Sequence, residues 1–424
     1  MNYNPGRAVD LPASKSIAAR FLVATYFAGT LPSEPDFTDS EDLEVLQRAL
    51  LSLYTDEEPI DFGGSPLDIR SSGTALRFIT AVCASSPDAD FVITGSERVC
   101  SRPMQPLLDV LRMAGAEIDV QGPESFGPYR VRGKKLKGGE FSIRGDISSQ
   151  FISALMLVAP SWETGLKLNF TTPLASSPYI AMTARVMENF GLNPMLHEDF
   201  VEIKNGEYKD PGNFRVEADW SAAAFFYEAA ALCPSPISIA ALAEPEKSIQ
   251  GDARAAEFFG KIGVISDFNP QGATVRGNGE TPNHVELNFY NNPDMVLPYA
   301  VACALKGINF NFSGVKNLRF KESDRIEALS EELRKLGILI EAGDDYISWD
   351  GSRCDASDEP IDPHADHRVA MAFAMAALKT GKVRIAHSYV VEKSFAGFWQ
   401  QLPKIGLECT LSDDNIMTVT HSNP

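Results

Sequence analysis

Two classes of helical segment alternate six times along the chain, and this repetition limits the possible folds more than any other feature. Segments of the first class are short, rich in alanine and apolar on all sides. Successive segments start 57, 77, 71, 75 and 72 residues apart. Because a helix that is apolar all round lies inside a protein, the repeat predicts six units, each built around one buried helix. The first residues of these segments are Ser14, Ser71, Ser148, Asp219, Asp294 and Asp366.

The second class of segment is an amphipathic helix that ends at a glycine and leads into an apolar strand. In the copy LSEELRKLGILI, apolar residues recur at helical spacing with charged residues between them. The segment EDLEVLQRALLSL is the expected first copy of this class, although it lacks the glycine. A glycine at this place supplies the left-handed backbone conformation that ends a helix. The glycines concerned are Gly115, Gly191, Gly263, Gly337 and Gly406.

Charge and cysteine usage exclude several classes of protein. The 57 acidic residues outnumber the 38 basic ones, and the net charge of -19 repels nucleic acid and anionic lipid surfaces. The six cysteines are scattered and form no CxxC pair, which is typical of a reducing compartment. No apolar run reaches the length of a membrane span, and the first residues lack a secretory core. We therefore expect a cytoplasmic protein that binds neither nucleic acid nor membranes. We also expect a monomer, which charge and cysteine usage do not decide.

Despite this acidic balance, eight cations lie inside or beside the apolar segments. A helix N-terminus presents unpaired N–H groups and the positive end of the helix dipole, which together attract anions. If the buried helices of one domain run parallel, their N-termini converge on one face. Arg20, Arg77 and Arg368 lie on apolar helices, so each must face a carboxylate or an anionic ligand. The full set is Lys15, Arg20, Arg77, Arg102, Lys321, Arg325, Arg368 and Lys393.

Two charged motifs leave alternatives open. KESDR, from Lys321 to Arg325, is either part of a binding site or a solvated cluster of ion pairs. HADH, from His364 to His367, places two histidines three residues apart, near Asp362 and Asp366. Because no third histidine or cysteine is close in sequence, we predict no metal site there.

Nine motifs occur in the order found in one enzyme family, and the chain resembles this family from about residue 9 to residue 403. They are LPASKSIAAR, SSGTALR, SRPM, RGDISSQF, SSPYI, SIQGD, NLRFKESDR, DHRVAMAFA and EKSF. The family is that of 5-enolpyruvylshikimate-3-phosphate (EPSP) synthase, or 3-phosphoshikimate 1-carboxyvinyltransferase. The resemblance implies an α/β fold: a two-domain inside-out α/β barrel of six βαβαββ units, three per domain, with buried central helices. It also implies that residues 14–218 form one domain, which mainly binds shikimate 3-phosphate. Residues 1–13 and 219–424 would form the other, which carries the acid and base and much of the phosphoenolpyruvate site.

The implied activity is a transferase reaction of the shikimate pathway, which leads to chorismate and the aromatic amino acids. The enolpyruvyl group of phosphoenolpyruvate moves to the 5-hydroxyl of shikimate 3-phosphate, and phosphate is released through a tetrahedral intermediate. Both substrates together carry two phosphates and two carboxylates, which accounts for the eight cations. The resemblance implies no cofactor and no metal. It further implies an open form that closes on its ligands.

The matching motifs also carry expected site residues. The expected catalytic residues are the base Asp294 and the acid Glu322, together with Lys15, Lys321 and His367. Shikimate 3-phosphate is expected to contact Lys15, Ser16, Arg20, Ser148, Ser149, Gln150, Ser176, Tyr179, Asp294, Asn317 and Lys321. Phosphoenolpyruvate is expected to contact Lys15, Gly73, Arg102, Gln150, Arg325, Arg368 and Lys393.

Three other functions fit parts of the sequence. A UDP-N-acetylglucosamine enolpyruvyl transferase shares the implied fold but carries a catalytic cysteine further upstream of an Arg-Pro pair than Cys100 lies from Arg102-Pro103. A binding or scaffold protein could keep the fold, yet every expected catalytic position here holds a competent residue. An enzyme that processes RNA ends would need a basic face, against which the charge balance argues.

Overall fold

The computed structural model describes residues 3–32, 40–54, 66–87, 89–122 and 127–421. The chain divides into two compact units. The first unit is Lys15–Val216, and the second unit combines Met1–Ser14 with Glu217–Pro424. Both units mix helices and strands, so each has the α/β character that the sequence predicts.

The first unit contains helices of both predicted classes and two four-stranded sheets. Its helices are α1 (Lys15–Ala28), α2 (Glu41–Tyr54), α3 (Gly73–Ser85), α4 (Glu97–Cys100), α5 (Gln105–Met113), α6 (Ser149–Val158) and α7 (Ser177–Asn189). Its strands are β1 (Leu67–Asp68), β2 (Asp90–Thr94), β3 (Glu117–Val120), β4 (Tyr129–Arg132), β5 (Gly139–Ile143), β6 (Leu166–Phe170), β7 (Met195–Leu196) and β8 (Phe200–Ile203).

The two sheets of the first unit have the same topology. Their strand orders are β1-β2-β4-β3 and β5-β6-β8-β7. In each sheet the first two strands are parallel and the remaining pairs are antiparallel. Because parallel neighbours need a crossover connection, a buried helix joins them: α3 follows β1 and α6 follows β5.

The second unit repeats this arrangement along a longer stretch of chain. Its helices are α8 (Trp220–Leu232), α9 (Ala255–Gly260), α10 (Val296–Lys306), α11 (Arg325–Lys335), α12 (His367–Met375), α13 (Ala377–Thr380) and α14 (Phe398–Gln401). Its strands are β9 (Ile237–Ala240), β10 (Val264–Asn269), β11 (Gly272–Gly277), β12 (His284–Asn288), β13 (Asn309–Ser313), β14 (Glu341–Ala342), β15 (Tyr346–Trp349), β16 (Lys382–Ile385), β17 (Leu407–Leu411) and β18 (Met417–His421).

The second unit has one sheet of the same topology and two smaller ones. The order β12-β13-β15-β14 matches the sheets of the first unit, with α10 crossing over between the parallel strands β12 and β13. The sheets β10-β11-β9 and β16-β18-β17 are antiparallel. Single parallel bridges, from Val9 to Ile239 and from Ile361 to Ile385, extend these two sheets by one residue each.

The alanine-rich helices form the interior of each unit. In the second unit α8, α10 and α12 pack against one another, and in the first unit α3 packs against α6 with α1 beside both. Small side chains allow this close approach. These helices are short, and within the described ranges no helix has the length and hydropathy needed to cross a membrane.

The five predicted helix-ending glycines are confirmed. Gly115, Gly191, Gly263, Gly337 and Gly406 all have positive φ, between 80° and 109°.

The predicted amphipathic helix before Gly406 is only partly correct. Its α-helical part, α14, has four residues, and the 3₁₀ helix Leu402–Ile405 follows it. Pro403 accounts for this, because proline lacks the N–H group that an α-helix uses in its interior.

A carboxyl group lies unpaired inside the second unit. Glu228 is in the middle of α8 and is completely buried. Neither of its carboxyl oxygens has a hydrogen-bond partner among the residues that the structure describes. Burial raises the pKa of Glu228 well above its ordinary value of 4.5. The folded protein therefore favours the protonated, neutral form of this side chain more strongly than the unfolded chain does.

We predict that Glu228→Gln removes part of the loss of stability that occurs as the pH rises above about 4.5. Because folding raises the pKa of Glu228, its contribution to stability is present below pH 4.5 and is lost as pH rises toward the folded-state value. The free energy of unfolding of the variant, relative to the wild type, should rise with pH by up to about 1.4 kcal/mol per unit. Urea unfolding between pH 4 and pH 9 measures this. The control Glu163→Gln changes an exposed glutamate. Equal pH profiles for wild type and Glu228→Gln would contradict the prediction.

Candidate active site

A buried guanidinium group joins three helices of the first unit. Arg20, on α1, is 3% exposed. It donates to the hydroxyls of Thr183 on α7 and Ser153 on α6, at 2.7 and 3.0 Å. It also donates to the carbonyl oxygens of Ser16 and Tyr179, at 2.7 and 3.3 Å. Burial lowers the pKa of Arg20 to about 10. No contact with a carboxylate is found for Arg20 in the described part of the chain. Its described hydrogen-bond acceptors are all neutral.

Lys15 opens α1 one turn before Arg20. Its Nζ atom lies 2.8 Å from Oδ2 of Asp42 on α2, and both side chains are largely buried. The sequence analysis predicted Lys15 as a site residue but missed Asp42. Nothing local indicates this partner, because Asp42 belongs to the acidic first turn of an ordinary amphipathic helix.

The N-termini of α3 and α6 contact each other through Gln150. Its Nε2 atom donates to Oγ1 of Thr74 at 3.1 Å. The side chain of Ser148 caps α6 by accepting from the N–H group of Gln150. Ser149, the first residue of the helix, is buried. The buried Oε1 atom of Gln150 has no hydrogen-bond partner within the described ranges. The first turns of α3 and α6 are therefore adjacent, and polar side chains of both helices meet there.

Two guanidinium groups enclose Gly73, the first residue of α3. Arg77 donates from Nη1 to the carbonyl oxygen of Gly73 at 2.6 Å. A Cβ atom on Gly73 would collide with the Nη1 atoms of both Arg77 and Arg102. The N-cap of α3 is Ser72, whose hydroxyl accepts from the N–H of Ala75. Glycine at this position therefore keeps two cations beside a helix N-terminus.

The two remaining expected residues of the first unit lie at the start of α7. Ser176 precedes the helix, is buried, and adopts the left-handed conformation with φ of 55°. Tyr179 follows within the first turn and accepts from Arg20 through its carbonyl oxygen. Arg20 thus connects α7 to the network of α1 and α6.

In the second unit, Arg325 binds three carboxylates. Its side chain is 2% exposed at the start of α11. Nε lies 2.7 Å from Oδ2 of Asp366, Nη1 2.7 Å from Oδ1 of Asp294, and Nη2 3.0 Å from Oε2 of Glu322. Burial alone would lower the pKa of Arg325, but Asp366, Glu322 and Asp294 outweigh it and raise it. Within KESDR, Arg325 is therefore buried among carboxylates, while Lys321, Glu322 and Asp324 are half-buried.

Asp294 lies at the centre of the cations. It belongs to the 3₁₀ helix Pro293–Met295, directly before α10. Besides Arg325, it contacts Nη2 of Arg368 at 3.1 Å and Nζ of Lys321 at 3.3 Å. Burial would raise the pKa of Asp294, but Arg368, Lys321 and Arg325 together hold it well below the ordinary value. Asp294 is thus an ionised carboxylate that can accept a proton and a hydrogen bond.

Asp366 is a central residue that the sequence analysis used only as a helix start. Its side chain is completely buried. It accepts from the N–H of Arg368 at 2.9 Å, which caps α12, and from Ser323 and Arg325. His367, which is also buried, has Nδ1 3.7 Å from Oδ1 of Asp366. A buried arginine such as Arg325 needs a carboxylate partner, but the sequence does not indicate that this partner is Asp366, 41 residues away.

The other two expected residues lie on 3₁₀ helices. Asn317 is half-buried on Lys316–Phe320, which leads directly into Lys321. Lys393 ends Ser388–Lys393, which packs against α12.

A profile of the EPSP synthase (3-phosphoshikimate 1-carboxyvinyltransferase) family matches residues 6–402. The chain belongs to this family. Similar relatives named 3-phosphoshikimate 1-carboxyvinyltransferase include that of Bacteroides fragilis strain YCH46, 37% identical over 409 residues, which cover 96% of this chain and 97% of the relative. Another is that of Vibrio cholerae serotype O1 strain M66-2, 32% identical over 416 residues, with 94% and 96% covered.

Solved structures of the EPSP synthase family have the same fold. The 2.37 Å structure of EPSP synthase from Acinetobacter baumannii has a TM-score of 0.69 and 21% sequence identity, with 97% of each chain covered. A second EPSP synthase structure from that organism gives a TM-score of 0.70, with 96% of this chain and 98% of the other covered. These similarities support the α/β fold.

His364 belongs to a separate cluster of charged residues on α11 and the loop before Asp366. His364 lies near Glu331 and Glu332, and the candidate ligand atoms of the three residues lie within 4.8 Å of one another. Lys335 already contacts the buried Glu332 carboxylate at 2.8 Å. The hydrogen bond to Glu332 raises the pKa of His364, although burial opposes this. The arrangement is that of an ion-pair cluster that joins α11 to the loop before Asp366.

We predict that Arg325→Met strongly destabilises the second unit. The substitution leaves the buried Asp366 carboxylate without its cation, and breaking a buried ion pair in this way costs about 3–5 kcal/mol. Chemical denaturation measures the loss. The matched variant Arg185→Met removes an exposed i,i+3 ion pair with Glu188 and should cost at most about 0.5 kcal/mol. Similar small losses of unfolding free energy for both variants would contradict the predicted contribution of the Arg325 ion pairs to stability.

Proposed function

We propose that this chain catalyses the reaction after which its family is named. It transfers the enolpyruvyl group of phosphoenolpyruvate to the 5-hydroxyl of shikimate 3-phosphate and releases phosphate, as a transferase of the shikimate pathway. The observation that carries the proposal is the pair of carboxylates, Asp294 and Glu322, that share the guanidinium of Arg325. An addition followed by an elimination needs one group that accepts a proton and one that donates a proton.

In the addition step, the oxygen of the 5-hydroxyl attacks the central carbon of phosphoenolpyruvate. Asp294 accepts the hydroxyl proton, and Glu322 donates a proton to the methylene carbon, which becomes a methyl group. In the elimination step, the C–O bond to phosphate breaks, Asp294 returns its proton to the departing phosphate, and Glu322 takes a proton from the methyl group. The enol double bond forms again, and both carboxyl groups return to their starting protonation states. The cations around Asp294 keep its carboxylate ionised, which is the form that a base must have, although the lowered pKa makes it a weaker base in the unliganded protein. Lys15, Lys321 and His367 complete the proposed catalytic set.

The first unit supplies most of the proposed shikimate 3-phosphate site. Arg20 is buried without a carboxylate among its described contacts, and an anionic ligand supplies the missing charge. Serine hydroxyls at helix N-termini suit a phosphate group. The proposed residues of this unit are Lys15, Ser16, Arg20, Ser148, Ser149, Gln150, Ser176 and Tyr179. From the second unit, Asp294, Asn317 and Lys321 would bind the ring hydroxyls.

Phosphoenolpyruvate would bind to the cations that adjoin Gly73 and Arg325. Its phosphate and carboxylate both need positively charged donors, and arginine can bind either group through two parallel hydrogen bonds. The proposed residues are Lys15, Gly73, Arg102, Gln150, Arg325, Arg368 and Lys393.

The proposal also covers the domain architecture, the cellular compartment and the oligomeric state of the enzyme. We assign the two units as the two domains of an inside-out α/β barrel with six βαβαββ repeats. The part of the first repeat between α2 and β1 falls on residues 55–65, outside the described ranges. The free thiols of the described cysteines support a reducing cytoplasm. The enzyme acts as a monomer without cofactor or metal, and it binds neither nucleic acid nor membranes.

A UDP-N-acetylglucosamine enolpyruvyl transferase is the alternative, and Cys100 argues against it. The thiol is buried at the end of α4 and lies 3.6 Å from the carbonyl oxygen of Gly95. Burial raises the pKa of Cys100 above its ordinary value. A thiol must ionise to react, so Cys100 is a poor catalytic group.

The test is a phosphate-release assay with phosphoenolpyruvate and each of two acceptors. Phosphate release should require shikimate 3-phosphate and should stay at background with UDP-N-acetylglucosamine. Mass spectrometry of the product should show shikimate 3-phosphate with an added enolpyruvyl group. Turnover with the sugar nucleotide, or with neither acceptor, would overturn the proposal.

We predict that Gly73→Ala weakens phosphoenolpyruvate binding. The added methyl group displaces the Nη1 ends of Arg77 and Arg102. The KM for phosphoenolpyruvate should rise about tenfold or more, equivalent to about 1.4 kcal/mol, with a smaller change for shikimate 3-phosphate. Steady-state kinetics measure both constants. Gly260→Ala is the control, because a Cβ atom there meets open space; equal constants for Gly73→Ala and wild type would contradict the prediction.

A further inference from the structure

The motif SIQGD contains a buried acid that the proposed reaction does not use. Asp252 lies on the 3₁₀ helix Gly251–Arg254 and is 3% exposed. Its Oδ2 atom accepts a hydrogen bond from the hydroxyl of Ser221 at 2.5 Å. Ser221 is the second residue of α8, and its N–H group is capped by Asp219. Asp252 therefore connects its own 3₁₀ helix to the N-terminus of the central helix α8.

The 3₁₀ helix Gly251–Arg254 also contacts Asn292, the residue directly before the turn Pro293–Met295 that contains Asp294. The Nδ2 atom of Asn292 donates to the carbonyl oxygen of Gly251 at 2.9 Å and lies 3.5 Å from Oδ1 of Asp252. Asn292 is 1% exposed, and its carbonyl oxygen accepts from the N–H of Met295. Asp294 lies within this turn. A displacement of Asn292 would therefore move the backbone that carries the Asp294 carboxylate.

The charges around Asp252 make it a surplus acid in this cluster. Among its described neighbours are two other acids, Asp294 and Asp219, and the cation Arg368. Burial, and next the charge of Asp294, raise the pKa of Asp252, while the Ser221 hydroxyl and Arg368 oppose this. The hydrogen bonds of Asp252, more than its charge, are thus available to hold the neighbouring elements.

We propose that Asp252 is a positioning residue for Asp294. Through Ser221 and Asn292 it fixes the turn Pro293–Met295 against the N-terminus of α8, so that the Asp294 carboxylate stays among Arg325, Arg368 and Lys321. This inference rests on the proposed function, in which Asp294 accepts the proton of the acceptor hydroxyl. Asp252 itself touches neither substrate in this account.

The first test compares Asp252→Ala with Asp252→Asn. Asp252→Ala removes both hydrogen-bonding oxygens, and kcat should fall about tenfold or more, with little change in the KM of either substrate. Asp252→Asn keeps an acceptor for Ser221 and should recover most of the lost kcat. The control Glu257→Ala alters an exposed acid on the neighbouring α9 and should behave as wild type. An equal loss in the Ala and Asn variants, or a loss seen mainly in KM, would overturn the proposal.

A double-mutant cycle tests whether Asp252 acts through Asp294. In the Asp294→Asn background, Asp252→Ala should lower kcat little further, because the group that it positions is already absent. If the two losses multiply, Asp252 has a role of its own in catalysis or in general stability, and the positioning proposal is wrong.

A crystal structure of Asp252→Ala separates this inference from the proposed function. We expect Asn292 and the Asp294 carboxylate to be displaced from the cations, while α8 and the sheets stay in place. An undisturbed Asp294 would refute the positioning role even if the wild type is fully active. Conversely, wild-type protein that releases no phosphate with both substrates would refute the proposed function, and the displacement in the crystal would still decide the role of Asp252.

Discussion

The charge of a buried guanidinium group must be balanced, and this requirement governs the residue cluster of each unit. An isolated ion inside a protein loses its hydration and is strongly unfavourable. Arg325 meets the requirement with three carboxylates of its own unit. Arg20 has only hydroxyl and carbonyl acceptors in the described part of the chain. The first arrangement stabilises the fold by itself, whereas the second leaves a positive charge that an anionic ligand can balance.

The repeat explains how polar groups gather within each unit of a protein whose net charge is -19. Each central helix is apolar along its length, so its polar residues collect at its first turn, where N–H groups are unpaired. Packing these helices side by side brings their N-termini together: Gln150 contacts Thr74 in the first unit, and Arg368 contacts Asp294 in the second. The turns that begin these helices therefore create the polar clusters to which we assign anion binding.

The sequence was sufficient for features that depend on local rules. Helix periodicity and left-handed glycines such as Gly337 depend on neighbouring residues alone, and the structure confirms them. The partners of the buried cations were beyond these rules, because Asp42 and Asp366 approach their cations only after the helices pack. Local rules also placed Asp294 at the start of an α-helix, whereas it lies on a preceding 3₁₀ turn, which the Pro293 ring favours. The roles of the site residues remain predictions that rest on motif and chemistry.

The most direct test of this account measures the binding and stability of Arg20→Met together. Because the substitution removes a buried charge that no described carboxylate balances, and with it four hydrogen bonds to neutral acceptors, the free energy of unfolding of the apo protein should fall far less than in Arg325→Met. The affinity for shikimate 3-phosphate, measured by calorimetry, should fall about 100-fold, or about 2.7 kcal/mol. Stability largely retained with affinity lost is the result that the account predicts. A variant that binds shikimate 3-phosphate as tightly as the wild type, or one that mainly loses stability, would contradict it.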